Sequence, residues 1–179
     1  MKKHSAAVLS GSAADLSERE KKMAYYTKTA SPMGEITLLT FDGERLAGLW
    51  LETQTAKTDG CERWDGAEIF EAARHWLERY FAGEAPASDE IALDFHGTEF
   101  QRRVWRELCR IPYGTTVSYG ALACRIGCRS AQAVGQAVGK NPVSVIVPCH
   151  RVIGKNGALT GYAGGLDKKR ELLKIEKIL

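Results

Sequence analysis

The sequence predicts two small units in tandem, an α/β unit followed by a mainly α unit that contains a helix-turn-helix. Three observations carry this. Short runs rich in Thr, Leu, Ile, Tyr and Trp between residues 24 and 52 are separated by turn signals and precede one amphipathic helix. Two short capped helices joined by a tight glycine turn follow between residues 118 and 139. The charge balance changes sign between them: residues 1–97 hold 11 basic and 17 acidic side chains, net −6, and residues 98–179 hold 14 and 5, net +9. A polyanion is therefore drawn to the second half and repelled by the first. The 179 residues, 44% of them apolar, exclude a disordered chain, a collagen and a small disulfide scaffold.

Residues 1–22 read as a charged, flexible lead-in. Their apolar stretch is too short and too broken by serine for a secretory leader, so the expected location is the cytoplasm. Five cysteines, an odd and irregularly spaced set, agree with free thiols in a reducing compartment. No window approaches the roughly 18 apolar residues of a membrane span. Ser31-Pro32-Met33-Gly34 and Asp42-Gly43 divide the strands of a meander, Asp-Gly being a strong hairpin signal. Ile69, Ala73, Trp76, Leu77 and Tyr80 recur at helical spacing, predicting a helix over 66–82 whose apolar stripe covers that sheet. Residues 84–90 read as a linker and 91–95 as a further strand.

Thr98-Glu99-Phe100-Gln101 is a capping box opening a helix over 99–110, stopped by Pro112-Tyr113-Gly114. Ser118 caps a short helix over 119–126, Gly127-Cys128-Arg129 turns the chain, and Ser130 caps a third helix running to Gly139. That third helix is almost devoid of large side chains: Ala131, Ala133, Gly135, Ala137 and Gly139 leave it thin. An interior helical glycine costs about 1 kcal/mol relative to alanine, so something offsets it, either close packing on a neighbouring helix or close approach of a bulky ligand such as a nucleic-acid backbone. Residues 143–147, Val-Ser-Val-Ile-Val, predict a buried strand that delivers Pro148-Cys149-His150-Arg151 at its end. Loops at Gly154–Gly157 and Gly161–Gly165 lead to a closing basic helix over 166–179.

A thiol beside an imidazole is the minimum for sulfur nucleophilic chemistry, because the thiolate is the reactive form and a base or positive field must generate it near neutral pH. Cys149 and His150 meet that need by type, and the sulfur is expected to stand as an anion at the bottom of a base-sized cleft. Adjacent residues of a strand point to opposite faces, however, so His150 reaches the sulfur only through a water or after a sharp turn. Cys61, Cys109, Cys124 and Cys128 lack an adjacent base, Cys124 and Cys128 lack a second ligand pair at zinc spacing, and all four read as packing residues.

Residues 141–153, Asn-Pro-Val-Ser-Val-Ile-Val-Pro-Cys-His-Arg-Val-Ile, followed by Gly161-Tyr162-Ala163-Gly164-Gly165, closely resemble the active-site signature of the O6-alkylguanine-DNA alkyltransferases, also called methylated-DNA–protein-cysteine methyltransferases. The resemblance extends from Thr98 to Glu176, including Ile111-Pro112-Tyr113-Gly114 and Val117-Ser118-Tyr119. Ser31 to Thr37 matches the family's N-terminal meander more weakly. It implies a small RNase H-like α/β N-terminal domain over 23–90 and a winged helix-turn-helix C-terminal domain over 91–179. It also implies self-inactivating repair of double-stranded DNA: one alkyl group moves from guanine O6, and by extension from O4-alkylthymine, to Cys149, with no metal or organic cofactor. No obligate protein partner is expected.

The resemblance further assigns roles. His150 takes the thiol proton through a water, Glu176 orients that imidazole, and Asn141 braces the active-site turn. Tyr119 crowds the adjacent phosphate and bonds the extruded base; Tyr162, Ala163 and Gly164 wall the pocket, Val152 faces the base and Lys169 lies near the pocket loop. Ser118, Arg129, Ser130, Ala131, Gln132, Gly135 and Arg151 are the expected DNA contacts. A helix of Ala and Gly suits a minor groove only about 6 Å wide, and taking a base out of the stack costs a few kcal/mol that such contacts offset.

Many family members carry an arginine in that helix, which fills the gap left by the extruded base; here the position is Gln132. Glutamine is uncharged and stacks less well, so extrusion from intact duplex is expected to be less efficient, or Arg129 takes over part of the task. The zinc ligands of some members are not recognisable, and no metal is expected. Three other readings compete. A lesion-binding relative without transfer is opposed by the presence of Cys149. A major-groove transcription factor is opposed by the lack of a base-reading array on the third helix. A thiol hydrolase would turn over repeatedly and ignore DNA.

Overall fold

The structure is a computed structural model and describes residues 24–179; the lead-in expected over 1–22 lies outside the described residues. Strands β1 (Tyr25–Ser31), β2 (Gly34–Thr40), β3 (Leu46–Leu51) and β4 (Glu62–Arg63) form one sheet in the order β3-β2-β1-β4. The first three are antiparallel, with Ser31 opposite Gly34 at the tight turn and Ile36 opposite Leu51, while the short β4 runs parallel to β1. Gly34 takes φ +96°, a conformation that favours glycine. Every residue of β3 is buried, because both faces of the sheet are covered. Ala24, Leu39, Ala47 and Trp50 pack on one side. On the other lies helix α1 (Glu68–Phe81), whose predicted stripe of Ile69, Ala73, Trp76, Leu77 and Tyr80 is buried, along with Phe70. Burying each large apolar side chain contributes roughly 1.5–3 kcal/mol, so this stripe fixes the helix on the sheet.

Thr98 and Gln101 form the expected reciprocal cap, Thr98 Oγ1 accepting from the Gln101 N–H at 3.2 Å and Gln101 Oε1 from the Thr98 N–H at 2.9 Å. Helix α2 (Glu99–Leu108) follows. Ser118 and Ser130 each accept a backbone N–H at 3.1 Å and so open α3 (Tyr119–Arg125) and α4 (Ala131–Gly139). Each such cap is worth about 1 kcal/mol. Gly127, at φ +62°, makes the turn between α3 and α4. The Trp105 indole N–H donates to the Ala137 carbonyl at 2.8 Å and locks α2 against α4. Strand β5 (Val117–Ser118) pairs parallel with β6 (Val152–Ile153), and α5 (Leu166–Ile175) closes the chain.

Two expected strands are corrected. Residues 143–147 are buried but do not form a strand. Val143 makes a single bridge to Leu49, and Val145 then adopts φ +68°, a left-handed conformation rare for a β-branched residue. The Asn141 side chain bonds the Val143 and Val147 carbonyls and so offers this backbone an alternative to a sheet ladder. Within 91–95, only Leu93 bridges, to Leu46.

Candidate active site

The turn after α4 builds the site around one amide. Asn141 Nδ2 lies 3.2 Å from the Val143 carbonyl, 2.9 Å from the Val147 carbonyl and 3.1 Å from Cys149 Sγ, while its Oδ1 accepts the Val143 N–H at 3.1 Å. Backbone strain of the kind at Val145 costs about 1–3 kcal/mol and persists only where the surroundings overdetermine it; here the Asn141 bonds do so. Pro148 then leads into a 3₁₀ turn, Cys149–Arg151, in place of the expected strand end. That is the sharp turn the Cys-His pair needs.

Cys149 is 4% exposed. Burial pushes its thiol above the usual range, opposed by the Asn141 N–H, the Lys169 ammonium and the nearby backbone N–H groups. Burial thus works against the expected standing anion, and the Asn141 and Lys169 groups work toward it. A cleft of about 540 Å³ lies between residues 50–57 and the end of α4, with Trp50, Thr53, Trp105, Asn141 and Ala163 in its lining; Cys149 is not among the residues that line it. Tyr119 and Tyr162 are close enough for the sulfur to raise both phenols, after burial, the larger cause. The Tyr119 hydroxyl points at the Thr160 and Gly161 carbonyls, 3.3 and 3.4 Å away.

His150 has no exposed surface. Its Nε2 is 2.6 Å from Glu176 Oε1, so the neutral ring carries its proton there and leaves Nδ1 as an acceptor, an assignment that follows from the network. Nδ1 makes no hydrogen bond among the described residues. Burial depresses the imidazole, against the opposing pull of Glu176. Burial would also raise the Glu176 carboxyl, but hydrogen bonds and charge from His150 and Arg151 outweigh it and hold the group down at about 2.

Arg151 is not the DNA contact expected. It is buried, with Nε 2.9 Å from Glu176 Oε2, Nη2 3.0 Å from Oε1 and Nη1 donating to the Ile111 carbonyl at 2.5 Å. A guanidinium this deep needs a carboxylate, and Glu176 supplies it. Val152 is also corrected: its side chain is wholly buried in the core, paired across from Val117, and does not face an incoming base. Lys169 is buried too, donating to the Val152 and Thr160 carbonyls at 2.5 and 2.9 Å. Burial lowers its ammonium to about 8, while the Cys149 sulfur pulls the other way.

The pocket loop is held from the first unit, where the Thr53 hydroxyl donates to the Gly164 carbonyl at 2.8 Å. A Cβ on Gly164 would lie 2.8 Å from the Tyr162 ring and 3.3 Å from Leu51, so this position has no room for a side chain. Ala163 is exposed beside it. The Tyr162 hydroxyl is buried and approaches Ser144 without forming a hydrogen bond of normal geometry. Of the expected rim, Arg129, Ser130, Ala131 and Gln132 are exposed, and Ser118 and Gly135 are half-buried. A Cβ on Gly135 would lie 3.6 Å from the Tyr119 ring, an ordinary contact, and one on Gly139 would meet open space, so close packing accounts for neither glycine.

Sequence reasoning missed two groups. Tyr80 reads as core, yet its hydroxyl donates to Glu176 Oε1 at 2.8 Å. Glu176 Oε2 also accepts the Gly114 N–H at 3.1 Å. A tyrosine where a phenylalanine would fill the same stripe was the one available signal for the first. Among the described residues, no three His, Cys, Asp or Glu side chains come together as metal ligands would.

Comparison with known proteins agrees across both units. A family model described as the ribonuclease-like domain of 6-O-methylguanine DNA methyltransferase matches residues 24–95, and one described as its DNA binding domain matches residues 99–178. A methylated-DNA–protein-cysteine methyltransferase of Haemophilus influenzae is 44% identical over 156 residues, covering 86% of this chain and 87% of its own. A crystal structure of the Mycobacterium tuberculosis O6-methylguanine methyltransferase is 47% identical, covers 87% of this chain and 93% of its own, and superposes with a TM-score of 0.78. A structure of the M. tuberculosis protein in complex with DNA gives the same TM-score, 0.78, at 47% identity over 86% of this chain and 92% of its own. The chain belongs to the 6-O-methylguanine DNA methyltransferase family.

Proposed function

We propose that this chain repairs DNA directly, moving one alkyl group from guanine O6, and from O4 of alkylated thymine, to Cys149 Sγ and ending its own activity in doing so. The observation that carries this is the placement of one buried thiol, held by Asn141, at the turn that follows the exposed small-residue helix of a basic helix-turn-helix unit. The thiol proton passes through a water to His150 Nδ1, and Glu176 stabilises the imidazolium that forms. Sulfur attacks the alkyl carbon from behind. The S–C bond forms as the C–O6 bond breaks, and the bonding pair goes to the guanine oxygen. Overall the thiol proton replaces the alkyl group on guanine, and a thioether remains on the protein.

In this reading α4 enters the minor groove, with Arg129, Ser130, Ala131 and Gln132 at the rim and Ser118 and Gly135 behind them. Tyr119 contacts the extruded nucleotide, and Tyr162, Ala163 and Gly164 wall it. Lys169 acts through the backbone it ties, Val152 to Thr160, and its charge eases formation of the thiolate. Residues 23–90 and 91–179 serve as two cooperating domains. The cytoplasm is the proposed location, a reading supported by five cysteines carried as free thiols.

The test is stoichiometric mixing with an oligonucleotide containing O6-methylguanine. A mass gain of one methyl and recovery of unmodified guanine in the DNA are expected. Tight binding with unchanged mass would instead make the chain a lesion-recognising protein without transfer.

A further inference from the structure

We propose that Tyr80, a residue of the first unit, is a positioning residue for the alkyl-transfer chemistry of the second: its hydroxyl, shared on Glu176 Oε1 with His150 Nε2, sets how strongly that carboxylate holds the imidazole and hence how basic His150 Nδ1 is. This rests on the function proposed above.

The ring of Tyr80 needs no hydroxyl to do its packing work. It stacks on Trp76, with centroids 5.4 Å apart and planes 9° apart, and meets Phe81, Tyr113 and His150 edge-on. A phenylalanine would make the same contacts. The hydroxyl is completely buried, and its neighbours are both in the other unit: Glu176 Oε1 at 2.8 Å and His150 Nε2 at 3.3 Å. Burial and the Glu176 charge both keep the phenol protonated, so it acts as a fixed donor.

Oε1 thus receives donors from three side chains, His150 Nε2 at 2.6 Å, Tyr80 at 2.8 Å and Arg151 through both Nη2 at 3.0 Å and Nε at 3.1 Å. Each side chain draws on the negative charge that the oxygen offers the other two. The remaining groups around His150 are Arg151 and Cys149 on its own turn, Tyr113 beside Tyr80, and Lys169 of α5. Removing one neutral donor leaves all of these in place. Glu176 then presents more charge to the imidazole, which becomes more basic.

The test compares wild type with Tyr80→Phe in the full chain, following His150 by 15N imidazole NMR and the transfer rate as a function of pH. In Tyr80→Phe the proton affinity of His150 is expected to rise about tenfold, the scale of one hydrogen bond to a charged group. The acid limb of the rate profile should move about one pH unit upward with it, at unchanged affinity for undamaged DNA. Difluorotyrosine at position 80, a stronger donor of nearly the same shape, should move both in the opposite direction, and it decides the matter if Tyr80→Phe does not fold. Folded variants with an unmoved His150 titration and rate profile would overturn the proposal. A wild type that accepts no methyl would overturn the function, whereas the NMR titration would still test the Tyr80–Glu176–His150 coupling.

Discussion

The floor of the site and its rim follow different rules. Asn141, Cys149, His150, Arg151 and Glu176 are all 6% exposed or less, and their polar atoms, His150 Nδ1 excepted, are tied into a network that spans both units. Arg129, Ser130, Ala131 and Gln132, one helix away, lie open to solvent, where the main internal task is the Ser130 cap. On the floor, a side chain that serves chemistry also holds the fold, because leaving a buried partner unsatisfied costs its full desolvation. At the rim the two roles separate. Floor substitutions should therefore change stability and rate together, and rim substitutions should change DNA affinity alone.

The largest effect is expected at Glu176. Its folded carboxyl titrates at about 2 against an ordinary 4.5, a difference worth about 3 kcal/mol. Because the folded value is depressed, this stability is fully present above pH 4.5 and is lost as pH falls toward 2. Glu176→Gln should lower stability at pH 7 by about 3–5 kcal/mol, since Arg151 is left buried and unpaired. It should also flatten the stability profile below pH 4.5, read by denaturant titration at several pH values. An unchanged acid profile would contradict the network's role.

Asn141→Ala comes next. It strips donors from the Val147 carbonyl and the sulfur and leaves the Val143 N–H without its acceptor, costing about 1–3 kcal/mol. Transfer should slow as well, because the strained Val145 turn loses its brace. Calorimetry and single-turnover kinetics on the same sample check both, and a slower rate without destabilisation would show that floor roles do separate. The smallest effect on the fold is expected at Gln132→Arg, within about 0.5 kcal/mol. Its effect on DNA should be plain: tighter duplex binding, a salt dependence steeper by about one phosphate contact, and faster repair in intact duplex. No change in affinity or rate would remove Gln132 from the rim.

Much of the fold was legible because its signals are local. The Thr98–Gln101 box, the Ser118 and Ser130 caps and the α1 stripe each specify structure within a few residues, and the helices begin where these signals place them or within two residues. Of the candidate site, Cys149, His150 and Glu176 were legible as residues, and the structure sets His150 against Glu176 and Asn141 against Cys149. The failures are nonlocal. Val143 to Val147 has the composition of a strand, but Asn141 and the bridge to Leu49 bend it. Arg151 reads as a surface cation until Glu176, 25 residues away, is brought beneath it. Tyr80 reads as core because nothing within the α1 stripe indicates where a hydroxyl will find a partner 96 residues distant.

The central claim is that a single sulfur receives the alkyl group. Peptide mapping by mass spectrometry after reaction with an O6-methylguanine oligonucleotide tests it directly. One methyl on the peptide containing Cys149, absent in Cys149→Ser, is the expected result. A methyl on Cys61, Cys109, Cys124 or Cys128, or methylation that persists in Cys149→Ser, would contradict it.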